Sequence, residues 1–388
     1  MVFTLQPLAA LLALALAFTS ASPRPAQQQV LNTPSRPPAT IQLVNNSRPP
    51  WDHQKPMFPH NPGQFTNGFI ALGDSYSAGI GTSFNGTEND CRVGLHAYPN
   101  LIWEDLSRLR GLGNDSFQHL SCTGATIEDA LAGAERSQVD NINITDAADF
   151  ALLSIGGNDL GFFEIMNSCI FRFFSFYSGT CESAIAESAK AIASPTFDQH
   201  LRLLIMEILD RVRWEKKPWF SIFITGYARF FNAETDECDD HSLGVWWRGP
   251  KLKKELRQQM NDMVQEVNAR IKKSVKIINA GFSEPRVFFI DYDDKFEGHR
   301  FCEPSVVEPD YTRNETWFFL VGGQDNGEAI SDPTKVPMET PPDNEEIKIQ
   351  NSMWYVPTYY GKTFHPRTEG HKAIQQAIYE LWFKMYRN

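Results

Sequence analysis

The chain has 388 residues, 42% hydrophobic and 12% aromatic with 28 Phe, enough to bury a substantial core in one large domain or two ordinary ones. A formal net charge of −11 with no basic cluster argues against a nucleic-acid partner, because nothing offsets phosphate charge.

The N-terminus is apolar from Leu8 to Phe18, then small and polar through Thr19-x-Ala21. That core has the length of a signal-peptide h-region and is too short to span a bilayer. Residues 1–21 are therefore expected to be a signal peptide cut after Ala21, with no stable membrane insertion, although no Lys or Arg precedes the core. Residues 22–65 carry ten prolines and a Gln-Gln-Gln run. Such a segment buries too little surface to offset its ordering entropy and reads as a disordered arm.

From residue 66 to 388 one domain is expected. Short apolar runs at 69–72, 117–120, 149–155, 219–225 and 286–291 look like buried strands, each followed by Gly, Asn, Asp or Ser. Helical patterns fall at about 97–110, 126–135, 184–214 and 251–279, and a last helix starts near Pro366 as its N1 residue. Strand–helix alternation predicts an α/β fold with a parallel sheet flanked by helices. Residues from about 303 to 358 form a long polar insertion, expected as a surface excursion.

Five N-x-S/T sequons, at Asn45, Asn85, Asn114, Asn143 and Asn314, and six Cys fit a secreted, extracellular glycoprotein. The cysteines show no C-x-x-C spacing, so zinc is not implied. Sequential elements tend to lie together, which favours the neighbouring pairs Cys91–Cys122, Cys169–Cys181 and Cys238–Cys302.

In an open parallel sheet, ligands sit at the carboxyl ends of the strands. The first strand ends in Gly73-Asp74-Ser75, the second is followed by Gly124, and the third by Gly156-Gly157-Asn158-Asp159. His365 and His371 stand just before or within the last helix. Ester cleavage needs a nucleophile, a base and donors for the developing oxyanion. Ser75 fits the first role and a late histidine the second. The backbone amides of Ser75 and Gly124 and the Asn158 side chain fit the third.

In order and at strand or helix boundaries, these four blocks resemble the SGNH (GDSL) hydrolase family over nearly the whole folded part, and a secreted three-disulfide esterase/lipase subgroup in particular. The resemblance implies a three-layer α/β/α, flavodoxin-like fold with a central, mostly parallel five-stranded sheet and no cofactor or metal. It also implies Ser75 as nucleophile, His365 as base, and Ser75, Gly124 and Asn158 as oxyanion hole. The proline after His365 favours it over His371, the alternative partner of Ser75. Many members carry Asp three residues before the histidine; here that position is Lys362. A Lys side chain cannot accept the imidazole proton. A backbone carbonyl, such as that of Lys362, is the expected substitute, with Glu369 or Asp293 as unsupported alternatives.

Asp74 reads as a turn-stabilising acceptor and Asp159 as a support for the Asn158 loop. The aromatic segment 169–181 fits an acyl pocket, a flap or plain core packing, and 244–250 a substrate surface or a packed loop. His96, His119, His200, His241 and His299 lack metal-ligand spacing and read as structural. The expected partner is a small-molecule or polymer-borne ester: lipid, acetylated glycan, plant polyester or simple ester. A metal-dependent phosphoesterase and a catalytically silent secreted binding protein are the rival functions. The G-x-S-x-G elbow of α/β-hydrolases is absent.

Overall fold

Five apolar runs pair in parallel into one sheet of order β2-β1-β3-β4-β5 in a computed structural model that describes residues 67–111, 113, 116–144, 148–171, 180–244, 249–325 and 357–387. The strands are β1 (Phe69–Gly73), β2 (Phe117–His119), β3 (Phe150–Ser154), β4 (Ser221–Thr225) and β5 (Val287–Ile290). Strands β1, β3 and β4 are buried throughout, so they read as continuous apolar runs instead of alternating ones. Register places Phe117, Phe69, Phe150, Phe223 and Phe288 along one face.

The helices are α1 (Ser75–Ala78), α2 (Tyr98–Arg110), α3 (Ile127–Ala130), α4 (Phe162–Ile165), α5 (Cys181–Ala193), α6 (Pro195–Arg211), α7 (Lys254–Asn279), α8 (Thr358–Gly361) and α9 (Thr368–Arg387). The phenylalanine face is covered by α2 and α9. Trp103 stacks on Phe117, and Trp382 meets Phe150 and Phe223 edge-on. On the other face Ile70, Leu72, Leu153, Ile222 and Ile224 are fully buried. Helices α5 and α6 both pack on α7.

Four expected features differ. The single helix of 184–214 is two, because Pro195 lacks the amide that would continue the first. Extended Ser194 ends α5 and caps α6, its Oγ accepting from Thr196 N. The helix expected over 126–135 is one turn: a Thr126/Asp129 capping box opens it and Leu131 is already extended. The last helix starts at Thr368 and not at Pro366, which bridges to Phe318; Asp325 caps it by accepting from Thr368 N at 2.9 Å. Finally, 303–358 is not a surface excursion throughout, since Phe318, Phe319, Leu320 and Val321 are buried.

Disulfides join Cys91 to Cys122, Cys169 to Cys181 and Cys238 to Cys302. Sequon residues Asn85, Asn143 and Asn314 are exposed. The leader, the proline-rich arm, Asn45, Asn114, 172–179, 245–248 and 326–356 lie outside the described residues. Among the described residues no helix is long and apolar enough to cross a membrane.

Candidate active site

Strand β1 runs out at Gly73, whose φ of +126° and close approach to Ser154 admit no side chain: a Cβ there would lie 1.9 Å from the Ser154 carbonyl oxygen. The next residue, Asp74, caps the single turn α1 through Tyr76 N at 3.0 Å. Ser75 is thus the first residue of a helical turn at the carboxyl edge of a central strand, buried, with its amide bonded to none of the described residues. One turn beyond β2, Gly124 has φ +87° and an amide equally without a partner among them. Beyond β3, Asn158 Nδ2 donates to Ala125 O at 2.9 Å, which ties the third loop to the second. Asp159 accepts from Ile127 N at 3.0 Å and fastens the same two loops.

The fourth part comes from the C-terminal region. His365 Nε2 lies 2.6 Å from Ser75 Oγ, and its Nδ1 lies 3.1 Å from the Thr363 carbonyl. That carbonyl can only accept, so Nδ1 carries the proton and Nε2 is left to receive the Ser75 hydroxyl proton. The carbonyl bonded to Nδ1 is that of Thr363; Lys362 O accepts the His365 backbone amide at 2.9 Å and adds a smaller hydrogen-bonding influence on the ring. The Lys362 ammonium sits 5.0 Å over the Phe319 ring, and burial lowers its pKa to about 8. Neither alternative carboxylate reaches the imidazole, for Glu369 pairs with Lys372 and Asp293 with Arg229. His371 is not the partner of Ser75: it is buried and accepts from Tyr98 N at 3.2 Å.

Burial governs the charges. It pushes the Asp74 and Asp159 carboxyls up to about 7, against the hydrogen bonds that pull them down. It lowers His365 to about 4, with Arg92 adding a smaller push in the same direction. His365 is therefore neutral at pH 7, the form a general base needs.

A pocket partly open to solvent starts at Ser75, Asn158 and His365. Leu160, Phe162, Ile165, Ile192, Met260 and Val264 supply much of its apolar wall. Of the aromatic segment 169–181, the described Cys169, Ile170 and Phe171 are core residues, and Phe171 packs edge-on to Phe364. Three of the remaining histidines serve local contacts: His119 with Asn100, His241 with Glu308 O, and His299 with Glu315 O and the Trp317 ring. Among the described residues no three His, Cys, Asp or Glu are grouped to hold a metal ion.

Sequence reasoning missed Tyr227, just past β4. Its hydroxyl donates to Asp74 Oδ2 at 2.8 Å and accepts from Gly157 N at 3.0 Å. An aromatic after a strand carries no signal of its own.

A family model described as GDSL-like lipase/acylhydrolase matches residues 69–378. Lipase 1 of Streptomyces coelicolor is 31% identical over 170 residues, which are 44% of this chain and 55% of that protein, so the chain spans about half of that relative's length. A lipase of Streptomyces rimosus is 27% identical over 235 residues, 60% of this chain and 73% of its own. The solved structure of phospholipase A1 from Streptomyces albidoflavus shares the fold, with a TM-score of 0.53 and 20% identity over 81% of this chain and 99% of that one.

Proposed function

The chain belongs to the GDSL-like lipase/acylhydrolase family, and from that premise we propose that it is a secreted carboxylic-ester hydrolase working through an acyl-enzyme. The observation that carries this reading is the 2.6 Å contact between Ser75 Oγ and His365 Nε2. Ser75 Oγ attacks the ester carbonyl while its proton passes to Nε2, and the Thr363 carbonyl steadies the resulting imidazolium through Nδ1–H. The amides of Ser75 and Gly124 and the Asn158 side chain receive the oxyanion. Collapse of the tetrahedral intermediate expels the alcohol, which takes the proton from His365. Water, deprotonated by the same ring, then releases the acid and restores Ser75.

The apolar pocket supports a fatty acyl chain over an acetyl group or a sugar, since its wall offers few partners to hydroxyls. The two Streptomyces relatives named as lipases point to the same lipid esters. Secretion is supported by the expected leader, the three disulfides and the exposed sequon residues Asn85, Asn143 and Asn314.

Ser75→Ala and His365→Ala are expected to abolish turnover of a nitrophenyl ester in a protein that stays folded by circular dichroism. A serine-directed phosphonate should inhibit the wild type and a chelator should not, which separates this reading from a metal-dependent phosphoesterase. Turnover itself separates it from a silent binding protein. Undiminished hydrolysis by Ser75→Ala would overturn the mechanism.

A further inference from the structure

We propose that Tyr227 is a positioning residue that sets the distance between nucleophile and oxyanion hole; this rests on the serine ester-hydrolase reading of the site. Its phenol bridges Asp74 Oδ2 at 2.8 Å and Gly157 N at 3.0 Å. Each of these is the residue immediately before a proposed catalytic group, Ser75 in one case and Asn158 in the other. One hydroxyl thus joins the ends of β1 and β3 on their catalytic side.

In its ionised form Asp74 receives three donors, Tyr76 N, Ser154 Oγ and the phenol, so the phenol proton points at it. The phenol oxygen is left to accept from Gly157 N, which has nothing to offer but a proton. The phenol itself is held rigidly. Asn268 on α7 accepts from Tyr227 N at 2.8 Å and donates to Tyr227 O at 2.7 Å, and the ring meets Tyr76 edge-on at 5.1 Å. A buried group so fully committed orients its neighbours without touching the reacting atoms.

The test is steady-state kinetics of Tyr227→Phe, Asn158→Ala and their double variant. Tyr227→Phe should lower kcat about tenfold or more with KM within about threefold, because only transition-state contacts are displaced. In the double variant the loss should fall short of the product of the single losses, since both act on one donor. Asp74→Asn is the second probe. Either orientation of its amide sets a donor against Tyr76 N–H or removes the acceptor of the phenol proton, so kcat should fall there too with the thermal midpoint retained. Wild-type kcat in Tyr227→Phe, or in Asp74→Asn should Tyr227→Phe not fold, overturns the proposal, as do single losses that multiply. Loss of activity in Ser75→Ala alongside a fully active Tyr227→Phe rejects the positioning role and leaves the esterase reading standing. An active Ser75→Ala rejects the esterase reading.

Discussion

Tyr76 donates a 2.7 Å hydrogen bond from its hydroxyl to the Phe364 carbonyl, so the residue after Ser75 grips the residue before His365. Phe364 has φ +65°, a left-handed conformation that a bulky side chain adopts only under constraint. Its ring is enclosed by Phe171, Phe230, Phe231 and Phe301. Packing and one phenol together hold the turn that presents the imidazole.

Tyr76→Phe keeps the ring and removes only that bond, leaving a buried carbonyl unpaired. It should cost about 1–3 kcal/mol in urea unfolding. It should also lower kcat, because the His365 turn loses its tether to the Ser75 turn. An unchanged midpoint and an unchanged kcat would show that the phenol carries no load.

Lys362→Met tests whether the position matters to the histidine. The Thr363 carbonyl already takes Nδ1–H, and Met preserves the contact over Phe319. Activity on a short nitrophenyl ester should therefore stay within about threefold, since a backbone carbonyl supplies the orientation. A hundredfold loss would mean that the ammonium itself takes part.

His365 should remain neutral across the physiological range, its pKa lowered by burial from 6.5 to about 4. Ring nitrogen shifts followed by NMR should show a single Nδ1–H tautomer and no titration between pH 8 and 5; a midpoint near 6.5 would contradict the burial argument. The linkage has a definite sign. The unfolded chain binds this proton near 6.5 and the folded one near 4. Stability tied to the neutral ring is whole above pH 6.5 and is lost as the pH falls through that window.

Val264→Phe should shorten the acyl pocket, whose apolar lining Val264 shares with Ile192 and Met260. Turnover of long-chain nitrophenyl esters should drop at least tenfold while the acetate ester is spared, at an overpacking cost of about 1–3 kcal/mol. Equal losses on both esters would place the acyl chain elsewhere.

The sheet was legible because β1, β3 and β4 are buried on both faces and carry unbroken apolar runs such as Phe69–Leu72 and Ile222–Ile224. Helix limits were less so. Pro195 announces a break that a continuous amphipathic pattern conceals, and Asp325 caps α9 from more than forty positions upstream, which no local pattern reveals. In the site, the strand-end glycines and Ser75 mark themselves by residue type. Thr363 O and the Tyr227 hydroxyl do not: one is a carbonyl that every residue possesses, and the other owes its place to the ends of three strands meeting at one edge. Phe318–Val321 hides for a related reason, as four apolar residues inside a polar stretch.

Ser75 and His365 lie 290 positions apart, and β5, the last strand among the described residues, ends at Ile290. Translation delivers all five described strands before it delivers His365. Phe319 then donates its backbone amide to the His365 carbonyl and accepts that of Phe364, closing the turn onto the preformed edge. Under the proposed mechanism, the emerging chain carries Ser75 without its proton acceptor until the His365 turn has been made.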